Sequence, residues 1–292
     1  MFDRLVDNIY VPAKEFFSRK DTKPCVFDSL KTLQILNEKH LSISRYGDGE
    51  FNLLRGKAIG FQEAEQELIY ELKKILEYDA KQQNHIVGIP MAMVSLTGLT
   101  SESAKFWRRY FAKNKAQINK YINFNEQYYD SQISRFWINR NSREYSSKLL
   151  DGWKSVWNAR NVLVVEGEYS RFGVGNDLFG NSKQVKRIIC ASRNAFRDYE
   201  KIKSEVIKNA TESDLVLLVL GPTATVLAYD LAKEGLWAID SGNLDMEYEW
   251  YLRNKKIKEV IPGKYSLEVD GGTDVSVLKD EKYEAQIIKR LI

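Results

Sequence analysis

Leu215-Val216-Leu217-Leu218-Val219-Leu220, followed at once by Gly221-Pro222-Thr223-Ala224-Thr225, is the stretch on which the fold turns. Six aliphatic residues are too few to span a membrane and too uniform for a strand with one wet face. They suit a strand buried on both sides. Pro222 fits the first turn of a helix, where its missing N–H costs nothing, and Thr223 or Thr225 can cap that turn. A strand running straight into a helix from Ala224 to Lys233 is the repeating unit of an α/β sheet.

The same rhythm recurs on either side. A strand at Val162–Val165 precedes a glycine-bearing loop. A strand at Arg187–Cys190 leads to a helix capped near Ser192 or Asn194, and a strand at Leu236–Asp240 closes the series. Upstream, Asp28 or Ser29 can cap a helix with Leu30, Leu33 and Leu36 on one face, running to about His40. Helices are expected from about Glu63 to Tyr78 and over 101–122, and short strands at 41–45 and His85–Ile89. The fold class is therefore α/β, with a mainly parallel sheet and helices on both faces. We read residues 1–292 as one domain. It carries an amphipathic N-terminal helix over 1–20, docked on the body or laid on a membrane surface, and a C-terminal appendage from Lys255 of hairpin plus helix. The aromatic N-terminal helix is also the candidate surface for homo-oligomer contacts.

Composition narrows the function. At 43% hydrophobic and 29% charged the 292 residues are ordinary for a soluble protein. A net charge of +4 is too small to indicate nucleic acid. Asp3 and Asp7 break the order of a signal peptide, and no run is long enough for a transmembrane segment. Cys25 and Cys190 are the only cysteines, which suits a reduced, cytoplasmic setting. His40 and His85, the only histidines, each adjoin apolar sequence and read as structural. No His or Cys spacing suits zinc.

Ligands of parallel sheets bind beyond the carboxyl ends of the strands, which selects four loops. Ser44-Arg45-Tyr46-Gly47-Asp48-Gly49-Glu50 places two carboxylates two residues apart, separated by glycine. On an extended or looped backbone they converge on one point, suiting an oxygen-liganded Mn²⁺ or Mg²⁺, with Arg45 as a fork for phosphate. A tight corner before a helix starting near Phe51 is the plain alternative. Glu166 to Asp177 contains Gly173 and Gly175 but lacks the third glycine of a dinucleotide fingerprint. Its amides and Arg171 suit a phosphate or ribose, or it is a structural corner. Gly221-Pro222-Thr223 offers free N–H groups to an anion, though no P-loop motif exists. Asp240 to Tyr251 packs four carboxylates among aromatics. If helical, Asp245 and Glu249 share a face and repel, which a metal, an acceptor sugar or an arginine would relieve.

Taken together and in order, these segments resemble the bacterial GT-D-fold glycosyltransferases that extend glycans on serine-rich-repeat adhesins and related polymers. The segments are Arg45–Glu50; Val165–Glu168 with Arg171 and Gly173–Asp177; Gly221–Thr223; and Gly242-Asn243-Leu244-Asp245 with Glu247–Trp250. The resemblance covers about residues 25–255. It implies a Rossmann-like, metal-dependent hexosyltransferase for protein glycosylation or polysaccharide biosynthesis. The donor would be a UDP-sugar and the acceptor a growing glycan or glycoprotein. Asp48 and Glu50 would hold Mn²⁺ or Mg²⁺. Arg45, Tyr46, Gly47, Gly49, Glu168, Arg171, Gly173, Gly175, Asn176, Asp177, Gly221, Pro222, Thr223 and Asn243 would surround the donor. Asp245, Glu247 or Glu249 would handle the acceptor hydroxyl. The family pattern has a histidine where this chain has Asn243, an amide that cannot shuttle a proton near neutral pH. A metal-dependent phosphohydrolase or nucleotidyl enzyme, and a non-catalytic glycan-binding accessory protein, are the competing readings.

Overall fold

The computed structural model describes residues 22–78, 84–210, 215–275 and 279–292. The helix expected over 1–20 lies outside them. Among the described residues nine strands form one sheet. They are β1 (Cys25–Phe27), β2 (Ser42–Arg45), β3 (His85–Ile89), β4 (Gln127–Asp130), β5 (Asn161–Gly167), β6 (Gln184–Cys190), β7 (Leu215–Val219), β8 (Trp237–Asp240) and β9 (Ile287–Leu291). Their order is β1-β4-β3-β2-β8-β7-β5-β6-β9. Every pairing is parallel.

The helices are α1 (Ser29–Lys39), α2 (Asp48–Leu53), α3 (Gln66–Tyr78), α4 (Ser101–Ile118), α5 (Arg143–Trp157), α6 (Tyr199–Asn209), α7 (Pro222–Lys233), α8 (Leu244–Leu252) and α9 (Glu281–Gln286). Asp28 caps α1 by accepting from the Lys31 N–H at 2.8 Å. Side chains of β7 alternate between two cores, which is why its sequence is apolar throughout. Val216 and Leu218 face one core with Leu72 of α3 and Leu227 of α7. Leu215 and Leu217 face the other, with Leu36 of α1 and Trp153 of α5.

Three local expectations change. Among the described residues the segment after Lys255 shows no hairpin; it ends in α9 and then β9, which pairs with β6 from Arg187↔Ile287 to Cys190↔Leu291. The edge of β6 was open, and Ile287, Ile288 and Leu291 give that tail strand character. Helix α4 stops at Ile118. At α7, Gly221 is the N-cap and neither threonine caps; both are buried in the helix. Gly221 has φ +55°, and a Cβ there would lie 2.2 Å from Phe61 Cε2, so the strand-to-helix corner requires glycine.

The two histidines are structural, as expected. His85 Nε2 lies 2.7 Å from Ser44 Oγ in the core. His40 ends α1 in the left-handed region and stacks on Trp237 at 4.4 Å. Among the described residues no helix is long and apolar enough to cross a membrane.

Candidate active site

The chain runs outward from β2 through β3 to β4. It then restarts on the far side at β5 and returns through β7 to β8, beside β2. The order therefore switches between β2 and β8, and a crevice opens beyond their carboxyl ends. Arg45, at the end of β2, bridges the switch. Its Nη2 meets Asp240 Oδ1 of β8 at 3.0 Å, Nε donates to the Asp240 carbonyl at 2.5 Å, and Nη1 donates to Ser131 O and Ser134 Oγ. Gly242 has φ +52°, and a Cβ there would lie 2.0 Å from Arg45 Nη2, so glycine lets the guanidinium pass.

Above this bridge lies a cleft of about 810 Å³. Asp48 and Glu50 line it, but from the first turn of α2 rather than from an extended loop. Glu50 Oε2 accepts from the Gly47 N–H at 2.7 Å and so anchors the helix start. Burial, helped by Asp240, pushes the Glu50 carboxyl up to about 7. Burial also raises Asp48, against the pull of Arg135. Among the described residues no three His, Cys, Asp or Glu side chains are grouped to hold a metal ion. The two carboxylates of this turn are the kind of oxygen donors that a hard divalent ion takes.

The raised Glu50 carboxyl has a consequence for stability. Its folded value of about 7 exceeds the ordinary 4.5, so the folded state holds the proton more tightly. Stability from this group is complete below pH 4.5 and is lost as pH rises through 7. The total is roughly 3 kcal/mol. In EDTA, wild type should therefore melt lower at pH 8 than at pH 5, and Glu50→Gln should flatten that part of the profile. An identical pH profile in the variant would contradict this account of Glu50.

Cations from distant segments line the same cleft. Arg135 grips Glu268 with both nitrogens, Nη1 to Oε2 at 2.9 Å, and stands 3.8 Å from Glu247 Oε1. Lys258 Nζ meets Glu268 Oε2 at 2.6 Å, and Asn243 donates to Oε1. Although burial opposes it, Arg135 and Lys258 hold the Glu268 carboxyl down to about 2. Arg135, Lys258, Asn243 and Glu268 all line the cleft.

A model of the glycosyltransferase GT-D fold family matches residues 43–269, most of the chain and all of this cleft apart from its structural surroundings. The chain belongs to the GT-D-fold glycosyltransferases. It is 34% identical over 268 residues to Glycosyltransferase GlyD of Streptococcus pneumoniae serotype 4, covering 90% of this chain and 32% of that protein. It is 35% identical over 261 residues to Probable glycosyl transferase Gly of Streptococcus gordonii, covering 89% and 38%. The chain thus spans about a third of the length of these curated relatives. Among solved structures, the domain of unknown function 1792 described as having a distinct glycosyltransferase fold superposes with a TM-score of 0.86 at 33% identity, covering 95% of this chain and 99% of that one. A new glycosyltransferase of the same domain from Streptococcus sanguinis gives 0.87 at 33% identity, covering 92% and 100%.

Within this GT-D fold, Arg45, Gly47, Asp48, Gly49, Glu50, Gly221 and Asn243 reach the cleft. Tyr46 lies beneath it, donating to Leu72 O at 2.6 Å. The end of β5 and the loop after it contribute Gly167 and Ser170 to the lining, and not the expected Glu168, Arg171, Gly173, Gly175, Asn176 and Asp177. Arg171 Nη1 donates to Gly263 O at 2.6 Å, and Asp177 accepts from Tyr248 Oη at 2.6 Å. Pro222 and Thr223 are buried in α7.

Asp245, Glu247 and Glu249 are also off the cleft lining. Asn176 Nδ2 donates to Asp245 Oδ1 at 2.9 Å and Glu249 Oε1 at 2.8 Å. The buried Lys264 ammonium sits between the same two carboxylates, 3.1 Å from Glu249. Glu247 Oε2 accepts from the Trp137 and Ile138 N–H groups. These three acids therefore lock α8 to its neighbours instead of lining the cleft. Sequence reasoning missed Arg135, Lys258 and Glu268. Arg135 follows the four-residue β4, and the other two lie in a tail with no periodic signal.

Proposed function

We propose that this chain transfers a hexose from a UDP-sugar to a growing glycan on a glycoprotein or surface polysaccharide, on the cytoplasmic side where nucleotide sugars are made. One observation carries the reading: the carboxylates Asp48 and Glu50 and the cations Arg135 and Lys258, which share Glu268, line a single cleft at the sheet's switch point. Asp48 and Glu50 would hold Mn²⁺ or Mg²⁺, which when bound supplies a Lewis acid for the departing diphosphate. Arg135 presents a planar fork that suits phosphate oxygens as well as the carboxylate it grips here. Lys258 adds a second charge where the leaving group becomes anionic. Arg45, at the floor of the cleft, fixes the ends of β2 and β8 so that the acidic turn and Asn243 keep their places.

The test is to incubate the protein with UDP-glucose, UDP-galactose and the N-acetyl sugars in Mn²⁺, and to measure UDP release with and without acceptor glycans. Acceptor-stimulated release with a glycosylated product supports transfer. Release without any product in the presence of acceptors indicates a phosphohydrolase. No stabilisation by UDP plus Mn²⁺ indicates an accessory module. Arg135→Ala should weaken UDP binding by about tenfold to a hundredfold, the loss of a charged hydrogen-bonding fork. Unchanged affinity by calorimetry would remove Arg135 from the donor site.

A further inference from the structure

The cleft has two chemically different halves, divided by the acidic turn of α2. On the β7-β5-β6 side its wall includes the small residues Gly167, Ala191, Ser192 and Gly221, with the Phe61 ring packed over Gly221. On the β3-β4 side it is made of Glu102, Ser103, Phe106 and Trp107 of α4, with Ile138 and Asn139 from the loop after β4. We infer that this second wall is the acceptor subsite, with the Phe106 ring as the platform for a pyranose and Glu102 and Asn139 as partners for its hydroxyls. The inference rests on the donor occupying the other half, as proposed above.

Three features make the wall a built surface. Phe106 is 46% exposed yet held: it stacks on Tyr110 at 6.0 Å and 16°, and meets Trp107 edge-on at 5.2 Å. Trp107 in turn stacks on Phe111 at 5.1 Å, so the exposed ring heads an aromatic cluster rather than a mobile side chain. Tyr110 Oη donates to the Asp48 carbonyl at 3.2 Å, which fixes the platform relative to the acidic turn. The Thr100 N–H donates to Asn139 O at 2.9 Å, joining the start of α4 to the loop after β4.

The chemistry then selects the ligand. The axial C–H face of a pyranose is apolar and weakly positive, and it suits the negative face of a fixed aromatic ring. Its equatorial hydroxyls need acceptors and donors at the edge of that ring. The Glu102 carboxylate, exposed in the first turn of α4, and the Asn139 amide supply both. A diphosphate would be repelled by a carboxylate there, and the nucleoside belongs to the other half under the donor reading. The wall therefore selects a neutral sugar bearing free hydroxyls, as at the end of a glycan chain.

The test uses saturation-transfer NMR on the full chain with UDP and Mg²⁺, probing with the methyl glycosides of glucose, galactose and N-acetylglucosamine. Wild type should transfer saturation to the apolar-face protons of at least one glycoside. Phe106→Ala should weaken that binding by about tenfold, Phe106→Tyr should restore it, and Glu102→Gln should weaken it several-fold. Thermal stabilisation by UDP plus Mn²⁺ should persist in all three variants. No transfer to any glycoside in wild type, or equal transfer in Phe106→Ala, would overturn the subsite. Loss of UDP stabilisation in Phe106→Ala would overturn it as well, by giving the ring to the nucleotide. Absence of UDP stabilisation in wild type would instead strike the donor reading on which the subsite rests.

Discussion

Asp48→Asn should lower UDP release and glycan transfer on the order of a thousandfold while leaving the melting temperature nearly unchanged. The substitution keeps size and shape but removes one of the two charged oxygen donors that the acidic turn brings to the cleft. Its structural cost is small because Asp48 supplies no cap hydrogen bond to α2; that task falls to Glu50 and the Gly47 N–H. The lost interaction with the helix dipole is worth roughly 0.3–1 kcal/mol. It is offset by relief of a carboxylate whose burial already disfavours its charge. The measurement is a paired one, turnover in Mn²⁺ and a thermal melt of the same preparation. A variant that retains full manganese-dependent turnover would remove Asp48 from the reaction.

Lys264→Met should cost about 3–5 kcal/mol of stability, seen as a lower midpoint in urea. Lys264 is 5% exposed and lies between Asp245 and Glu249. Burial disfavours the Glu249 carboxylate, and Lys264, aided by Asn176, more than reverses that. Removing the ammonium while leaving its two partners strands like charges one turn apart on α8. Replacing all three by apolar residues of similar volume should recover much of the loss, because the penalty belongs to the unpaired charges and not to the missing bond. If Lys264→Met instead unfolds at the wild-type midpoint, the lock on α8 carries no stability.

These two sites mark how far the sequence could be read. The β7–Gly221–α7 corner was legible because its signals are contiguous: a strand apolar on both faces, a glycine, a proline. The acidic turn was legible for the same reason, although its backbone was not; Gly-Asp-Gly-Glu reads equally as a loop and as a helix start, and the Glu50 capping contact decides for the helix. The like charges at Asp245 and Glu249 pointed to relief by a metal, an acceptor sugar or an arginine, whereas the structure supplies a lysine. That counter-ion is Lys264, fifteen residues beyond Glu249, and no local pattern points to it.

The remainder failed for want of length or locality. β1 and β4 have three and four residues and include Cys25, Gln127 and Asp130, so neither shows strand alternation. They pair directly from Cys25↔Gln127 to Phe27↔Tyr129, and β4 is tied to α1 by a buried cluster in which Ser29 donates to Asp130 and Arg140 stands 3.3 Å from the same carboxylate. Arg135 and Glu268 are 133 residues apart in sequence, and their pairing exists only once the sheet is assembled. The cationic side of the cleft is thus a product of topology, while its acidic side is a product of one heptapeptide.

Calorimetric titration of UDP into the wild-type chain, with Mn²⁺ and again in EDTA, tests the central claim most directly. Tight binding that needs the metal and disappears in Asp48→Asn is the predicted result. Equal affinity in EDTA, or an Asp48→Asn variant that binds UDP–Mn²⁺ like wild type, would contradict it.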